Sequence, residues 1–192
     1  GAAKGLKSSV TITLGTGVGS GVVLDGKIFG GFNYAAPEMG HMVIGLGGEQ
    51  CTCGRKGCWE TYASATALIE QTKRAAQKNP DSLINKLVNN DLSQVDAKTA
   101  FDAAKQGDET GQEVVDKYIY FLAEGVINII NVFAPEVLVI GGGVSKEGEY
   151  LLKPLRERVY KYLYFKEEPQ TKIIAAQLGN DAGIIGAAML GR

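Results

Sequence analysis

The only histidine of the sequence and all three of its cysteines fall in one short stretch, His41 to Glu60, HMVIGLGGEQCTCGRKGCWE. As spacing it reads H-x9-C-x-C-x4-C, one imidazole and three thiols in a single loop. A Cys3His set is what Zn²⁺ takes at a closed, tetrahedral structural site. Gly45, Gly47, Gly48, Gly54 and Gly57 let the backbone wrap tightly, since glycine accepts positive φ without steric cost. The competing reading is scattered core thiols and an ordinary histidine, but it does not explain why all four gather in one glycine-rich loop. A disulfide leaves one cysteine over, and nothing in the chain looks secreted. His41, Cys51, Cys53 and Cys58 are therefore the candidate ligands of one structural zinc.

Two glycine-rich turns could hold anions. GTGVGSG (15–21) offers a row of backbone N–H groups with no side chains in the way, and Thr16 adds a hydroxyl. No Gly-Lys-Ser/Thr follows, so it is not a Walker A loop, and a hairpin follows where a dinucleotide fingerprint needs a helix. A plain glycine-rich β-turn remains the other reading. GGGVS (141–145) sits at the carboxyl end of a buried strand, where α/β sheets place ligands; a tight strand-to-helix turn explains it equally well. Glu38 and Glu60 flank the metal loop. Glutamates are mostly solvated, yet Glu60 lies two residues past Cys58 and beside the single tryptophan, Trp59. Carboxylates fixed by an ion suit a neutral sugar, because each accepts two hydroxyl hydrogen bonds.

The elements that must position these groups follow from periodicity. Ser9–Leu14 alternates as a strand. Asp25-Gly26 marks a two-residue hairpin between Val22–Leu24 and Lys27–Phe29, giving a three-stranded meander. A helix runs from Tyr62 to about Gln77 and stops at Asn79-Pro80; a short one follows around Leu83, Leu87 and Val88. Asp96 is the N-cap of Ala97–Gln106, with Gly107 as its C′ residue. The longest helix covers about Glu109 to Val132, has a wide apolar face, and ends at Ala134-Pro135. Glu136–Ile140 is a strand buried on both faces. A helix around Glu149–Tyr164, a strand Lys172–Ala176 and a small-residue helix Ala182–Leu190, capped by Asn180-Asp181, complete the order βββ, helices, βαβα.

The chain has 192 residues and a formal net charge of −1, enough for one ordinary globular domain and no electrostatic reason to expect nucleic acid or an anionic membrane as partner. No apolar run spans a bilayer and no charged-then-apolar leader opens the chain, which makes a cytoplasmic location the default. The sequence begins without methionine and runs almost at once into a strand, as a fragment would.

PEMGHM (37–42) followed by CTCGRKGCWETYAS (51–64) resembles the signature of the ROK family, which groups bacterial sugar kinases with transcriptional repressors; the version here is most similar to its glucokinases. The family usually has glycine before the glutamate, where this chain has Pro37. The resemblance implies an α/β, ribonuclease H-like lobe of the actin/hexokinase type, in which two lobes clamp a nucleotide. Residues 1–192 would be the C-terminal lobe, with the N-terminal lobe outside this chain. It further implies ATP with Mg²⁺ as co-substrate, Gly15, Thr16 and Gly17 on its phosphates, and Gly141, Gly142 and Gly143 against the adenosine. Glu38, His41 and Glu60 would contact sugar hydroxyls, His41 also holding the zinc. The family's Asp-Gly-Gly-Thr phosphate loop and its Asn-Asp catalytic base are not in their places here. Asn180-Asp181 is read as a helix start, so the general base is expected in the other lobe and no catalytic residue in this one. Glucose is the expected acceptor, with fructose, mannose or an N-acetyl sugar as alternatives, and a homodimer the expected assembly. Two rival readings are a repressor whose sugar pocket senses an inducer and a zinc-stabilised interaction module without ligand.

Overall fold

A computed structural model describes residues 1–179 and 181–189. Its sheet has five strands in the order β3-β2-β1-β4-β5. The meander is β1 (Ser9–Leu14), β2 (Val18–Leu24) and a two-residue β3 (Lys27–Ile28). After a helical stretch the chain returns as β4 (Val137–Gly142), which pairs in parallel with β1, and then as β5 (Lys172–Ala175), parallel to β4. In β1, Val10, Ile12 and Leu14 are fully buried while Thr11 and Thr13 are less so, the alternation of a strand with one face on the core. The interior strand β4 is buried continuously from Val137 to Gly141, as a strand with parallel neighbours on both sides should be.

Between the two halves of the sheet lie α1 (Glu60–Ala63), α2 (Ala65–Lys78), α3 (Leu83–Leu87), α4 (Thr99–Lys105) and α5 (Glu109–Phe133). The helix α6 (Glu149–Tyr162) joins β4 to β5, and α7 (Asp181–Met189) ends the described chain. The 25-residue α5 buries Val115, Tyr118, Leu122, Val126 and Ile129 on one face, in one cluster with Ile12, Leu138 and Ile140 of the sheet and Leu151, Leu155 and Val159 of α6. Burying such side chains is worth roughly 1.5–3 kcal/mol each. Pro135 disfavours helical backbone at Ala134, which instead turns left-handed (φ 39°) and stops α5.

Several boundaries depart from the sequence reading, each for a local reason. The expected single helix from Tyr62 is broken at Ser64, whose hydroxyl accepts the Ala67 N–H (3.0 Å) while the Ala65 N–H turns to the Gly15 carbonyl (2.8 Å). Asp96 accepts from the Lys98 and Thr99 N–H groups (2.9 and 3.0 Å), so α4 starts at Thr99 and not at Ala97, though Gly107 follows its C-cap with φ 86° as expected. Glu136 is not a strand residue. Its carboxylate accepts the Lys7 and Ser8 N–H groups (both 2.8 Å), and its own N–H donates to the Ser8 hydroxyl (3.1 Å). Those bonds hold its carboxyl below the usual range and fasten the starts of β1 and β4 together, which fixes where both strands end. Asp181 lies in the first turn of α7 and is not its cap, while Asn180 and Leu190 fall outside the described residues. Among its described residues α7 buries none, and Ile184, Ile185 and Met189 are 74%, 41% and 63% exposed.

Asp108 is the cap that the pattern did not reveal. Its carboxylate accepts from the Gly111 N–H (2.7 Å) to start α5, and from the Leu83 N–H (2.8 Å) and the Ser82 hydroxyl (2.9 Å) to fasten α3. Burial works to raise its pKa, but these three bonds outweigh it and hold the carboxyl below the ordinary value. A depressed folded-state pKa contributes stability above the unfolded value, about 3.9, and that contribution is lost as pH falls through the folded value. Asp108→Ala is expected to lower stability at neutral pH by about 1–2 kcal/mol, with the gap closing below pH ~3.9. Urea denaturation of both proteins from pH 7 to pH 3 checks this; a gap that stays constant with pH would refute it.

Candidate metal loop and ligand cleft

The loop between the meander and the helices brings His41, Cys51, Cys53 and Cys58 together, one ligand atom from each lying within 4.8 Å of all the others. His41 Nδ1 is 3.6 Å from Cys51 Sγ, and Cys53 Sγ is 3.6 Å from Cys58 Sγ. His41 ends a one-turn 3-10 helix, Met39–His41, and the cysteines lie on a tight ribbon bridged at Val43–Cys58 and Gln50–Lys56. Of the five loop glycines, Gly47, Gly54 and Gly57 adopt positive φ. Burial pushes the Cys58 thiol up to about 12, helped by Cys53 and Cys51, while the Arg55 backbone N–H lowers Cys53. Three sulfurs at that separation, those of Cys51 and Cys58 on buried residues and that of Cys53 on an exposed one, beside an imidazole, fit a thiophilic tetrahedral cation, which binds them as thiolates.

Trp59 anchors this loop to the core. It is wholly buried, its indole N–H donates to the Phe121 carbonyl (2.9 Å), and its ring lies directly on Gly125 in the middle of α5. A β-carbon at Gly125 would overlap the indole. Tyr118 adds a second tie, its hydroxyl donating to the Ala63 carbonyl (2.8 Å) at the end of α1. The residues either side of Trp59 are Cys58 and Glu60, so one packed ring places a metal ligand and a carboxylate.

Glu60 stands between the metal loop and the first glycine turn. Its Oε1 is 3.5 Å from Cys51 Sγ and 3.8 Å from His41 Nδ1, and its Oε2 accepts the Val18 N–H (3.2 Å). The turn Gly15–Gly17 closes the β1–β2 hairpin, with the Gly15 N–H on the Gly17 carbonyl (3.1 Å). Neither Gly15 nor Gly17 has positive φ. A β-carbon at Gly17 would meet Glu60 Oε2, so a side chain there would displace that carboxylate. Thr16 and Glu60 open into one cleft of about 590 Å³, together with Tyr62, Ser64, Thr66 and Phe121.

The second glycine turn emerges beside the first, since Thr13 pairs with Gly141 and Leu14 with Gly142. Gly142 (φ 86°) lies against the Leu14 backbone, and a side chain there would collide with it; Gly143 starts a 3-10 turn and faces open space. The structure thus unites His41, Cys51, Cys53, Cys58, Glu60 and the Gly15–Gly17 turn. Glu38 is exposed at the head of the 3-10 turn, its carbonyl accepting the His41 N–H (3.1 Å), and neither it nor Gly141–Gly143 lines the cleft. Sequence reasoning missed Gly125, the Val18 N–H and the Ser64 break; only the Ser at the head of an apolar-periodic run carried a readable signal.

The mixed sheet and its helices have the actin/hexokinase-like α/β fold of the ROK glucokinase structures. Residues 1–192 match the ROK family throughout, and the chain belongs to it. It is 40% identical over 190 residues to the glucokinase of Thermotoga maritima, a match covering 99% of this chain and 60% of that protein. Its fold superposes with a TM-score of 0.91 on a ROK family glucokinase from Streptomyces griseus in complex with glucose and AMPPNP, at 35% identity, covering 99% of this chain and 62% of that one. A ROK family transcriptional regulator, a homolog of the E. coli MLC protein, aligns with a TM-score of 0.82 at 27% identity, over 98% of this chain and 46% of its own. The chain therefore spans about three fifths of the glucokinases it matches.

The packing of Trp59 on Gly125 generates a test. Gly125→Ala removes a helix-weakening glycine but drives a methyl into the indole, and the clash should win, costing a net ~1–3 kcal/mol. Chemical denaturation gives the cost, and the emission of the lone tryptophan should shift to the red as the ring is displaced. Unchanged stability and emission would show that the contact is loose.

Proposed function

We propose that this chain is the C-terminal lobe of an ATP-dependent sugar kinase with glucose as the phosphoryl acceptor. The observation that carries the reading is the two-sided placement of Glu60. One oxygen faces the His41–Cys51 edge of the metal loop and the other is held by the backbone of the first glycine turn. A carboxylate in that position can accept sugar hydroxyls next to a turn suited to phosphate. Glu38 and His41 complete the sugar site, Nδ1 of His41 facing the cysteines and its other ring nitrogen remaining for a hydroxyl. Gly15, Thr16 and Gly17 take the nucleotide phosphates, with Mg²⁺ on those phosphates, and Gly141, Gly142 and Gly143 the adenosine. His41, Cys51, Cys53 and Cys58 would hold Zn²⁺, which supplies orientation at a structural site. Transfer to the sugar 6-hydroxyl then rests on positioning and charge stabilisation, with the general base contributed by the other lobe. The glucokinase similarity at 40% identity supports this reading. The aligned transcriptional regulator supports a sugar-sensing alternative, and turnover separates the two.

No helix among the described residues is long and apolar enough to cross a membrane; the proposal also takes the full-length enzyme to be cytoplasmic and homodimeric.

Purified protein is expected to contain one zinc per chain. Cys53→Ser should lose metal and stability together, because site and fold are coupled. Metal analysis finding far less than one zinc, with the thiols reduced, would refute the assignment.

The full-length protein should phosphorylate glucose with ATP, and Glu60→Gln should raise the KM for glucose while keeping its zinc. This chain by itself should show no turnover, since losing a general base alone removes about 10²–10⁴ in rate. A coupled assay reads both; sugar binding without any turnover by the full-length protein would favour the sensor.

A further inference from the structure

Ser20 lies on β2 just beyond the first glycine turn, opposite Ile12 of β1. Its hydroxyl donates to the Pro37 carbonyl (2.9 Å) and accepts the Met39 N–H (3.2 Å). Those are the two peptide groups flanking the α-carbon of Glu38. The backbone of Glu38 is neither helical nor extended (φ −115°, ψ 60°), and its side chain is exposed, so nothing about the residue's own surroundings fixes where it points. A hydroxyl can donate to one peptide and accept from the next, which no apolar side chain can do. Met39, 4% exposed, pins the far side of the same turn in the core.

Val18, two residues before Ser20, acts on the other members of the site. Val18 gives its N–H to Glu60. Its carbonyl oxygen fills the space over Gly40, so that no side chain fits there, one residue before His41. Two β2 residues, Val18 and Ser20, thus hold the segments carrying Glu38, His41 and Glu60, and β2 itself follows directly on the glycine turn. We propose that Ser20 is a positioning residue for the sugar site, aiming Glu38, and that Val18–Ser20 is the edge against which the sugar-contacting residues are registered. This inference rests on the sugar-site reading above.

The test is steady-state kinetics of the full-length protein with Ser20→Ala and Ser20→Thr, alongside zinc content. Ser20→Ala should raise the KM for glucose about 10-fold, as the loss of a positioning hydrogen bond would. The KM for ATP should stay within about twofold, and zinc should remain at the wild-type level, since none of the four ligands bonds to Ser20. Ser20→Thr, which keeps the hydroxyl, should stay within about threefold of wild type in every parameter. A purely structural role predicts a different pattern: lower stability with both KM values unchanged. An unchanged glucose KM in Ser20→Ala, an equal rise in both KM values, or a Thr variant as impaired as the Ala variant each overturns the proposal. Should Ser20→Ala not fold, Ser20→Cys, a weaker donor, is read by the same criteria. A wild-type protein that neither binds nor phosphorylates sugar removes the sugar-site reading itself and this inference with it, whereas turnover by the wild type with an unchanged Ser20→Ala overturns this inference alone.

Discussion

The fit of the Trp59 indole onto the bare α-carbon of Gly125 is the contact on which the site depends. A mid-helix glycine costs about 1 kcal/mol against alanine, and the helix accepts that cost at the point where the metal loop has to dock. The return is large: truncating a buried tryptophan typically costs about 3–5 kcal/mol. The cluster of sulfurs would otherwise sit on a ribbon with few apolar side chains of its own, where a metal could organise the loop but could not say where the loop sits on the protein. Trp59 supplies that second coordinate. The cluster sets the loop's internal shape and the indole sets its position over α5, and Glu60, next in sequence, inherits both.

The other half of the arrangement comes from the sheet. Glu136 draws the starts of β1 and β4 level, and parallel strands of equal length then finish level. The consequence is that two turns far apart in sequence present their backbones side by side. Here a negatively charged group, Glu136, is satisfied by backbone N–H groups at the opposite end of the sheet from the site, so the register is fixed without placing another anion near the glycine turns.

What the sequence disclosed and what it concealed divide along contact range. The gathering of His41 with the three cysteines was readable because cysteine and histidine are scarce here and fall into one loop. The βββ, helices, βαβα order was readable because each element declares itself over a few residues, through alternation in Ser9–Leu14 or the apolar stripe of Glu109–Phe133. Boundaries moved wherever a distant group intervened. Ser64 ends one helix and caps the next because the Gly15 carbonyl, far back in the chain, takes the Ala65 N–H. The first turn reads as a row of unobstructed backbone N–H groups, yet the space beside Gly17 is taken by the carboxylate of Glu60. At Gly125 nothing local hints that an indole needs the space. Asp108 was passed over as a cap because its other partners, Ser82 and Leu83, belong to a different helix.

The pairing of β1 with β4 also governs how the chain reaches this state. Ser9 stands opposite Val137, with the whole helical layer between them in sequence. The entropic cost of closing so long a loop grows slowly, about 0.6 kcal/mol per doubling of length, but a parallel contact of such separation cannot repay it until the intervening helices have compacted. Topologies of this kind fold slowly compared with helical bundles. The β1–β2 hairpin and the α4–α5 pair can assemble locally, whereas the junction of the two glycine turns exists only once the last long-range strand has zipped into place. The two glycine turns therefore come together only with this long-range pairing, and a partly folded chain that lacks it does not have them side by side.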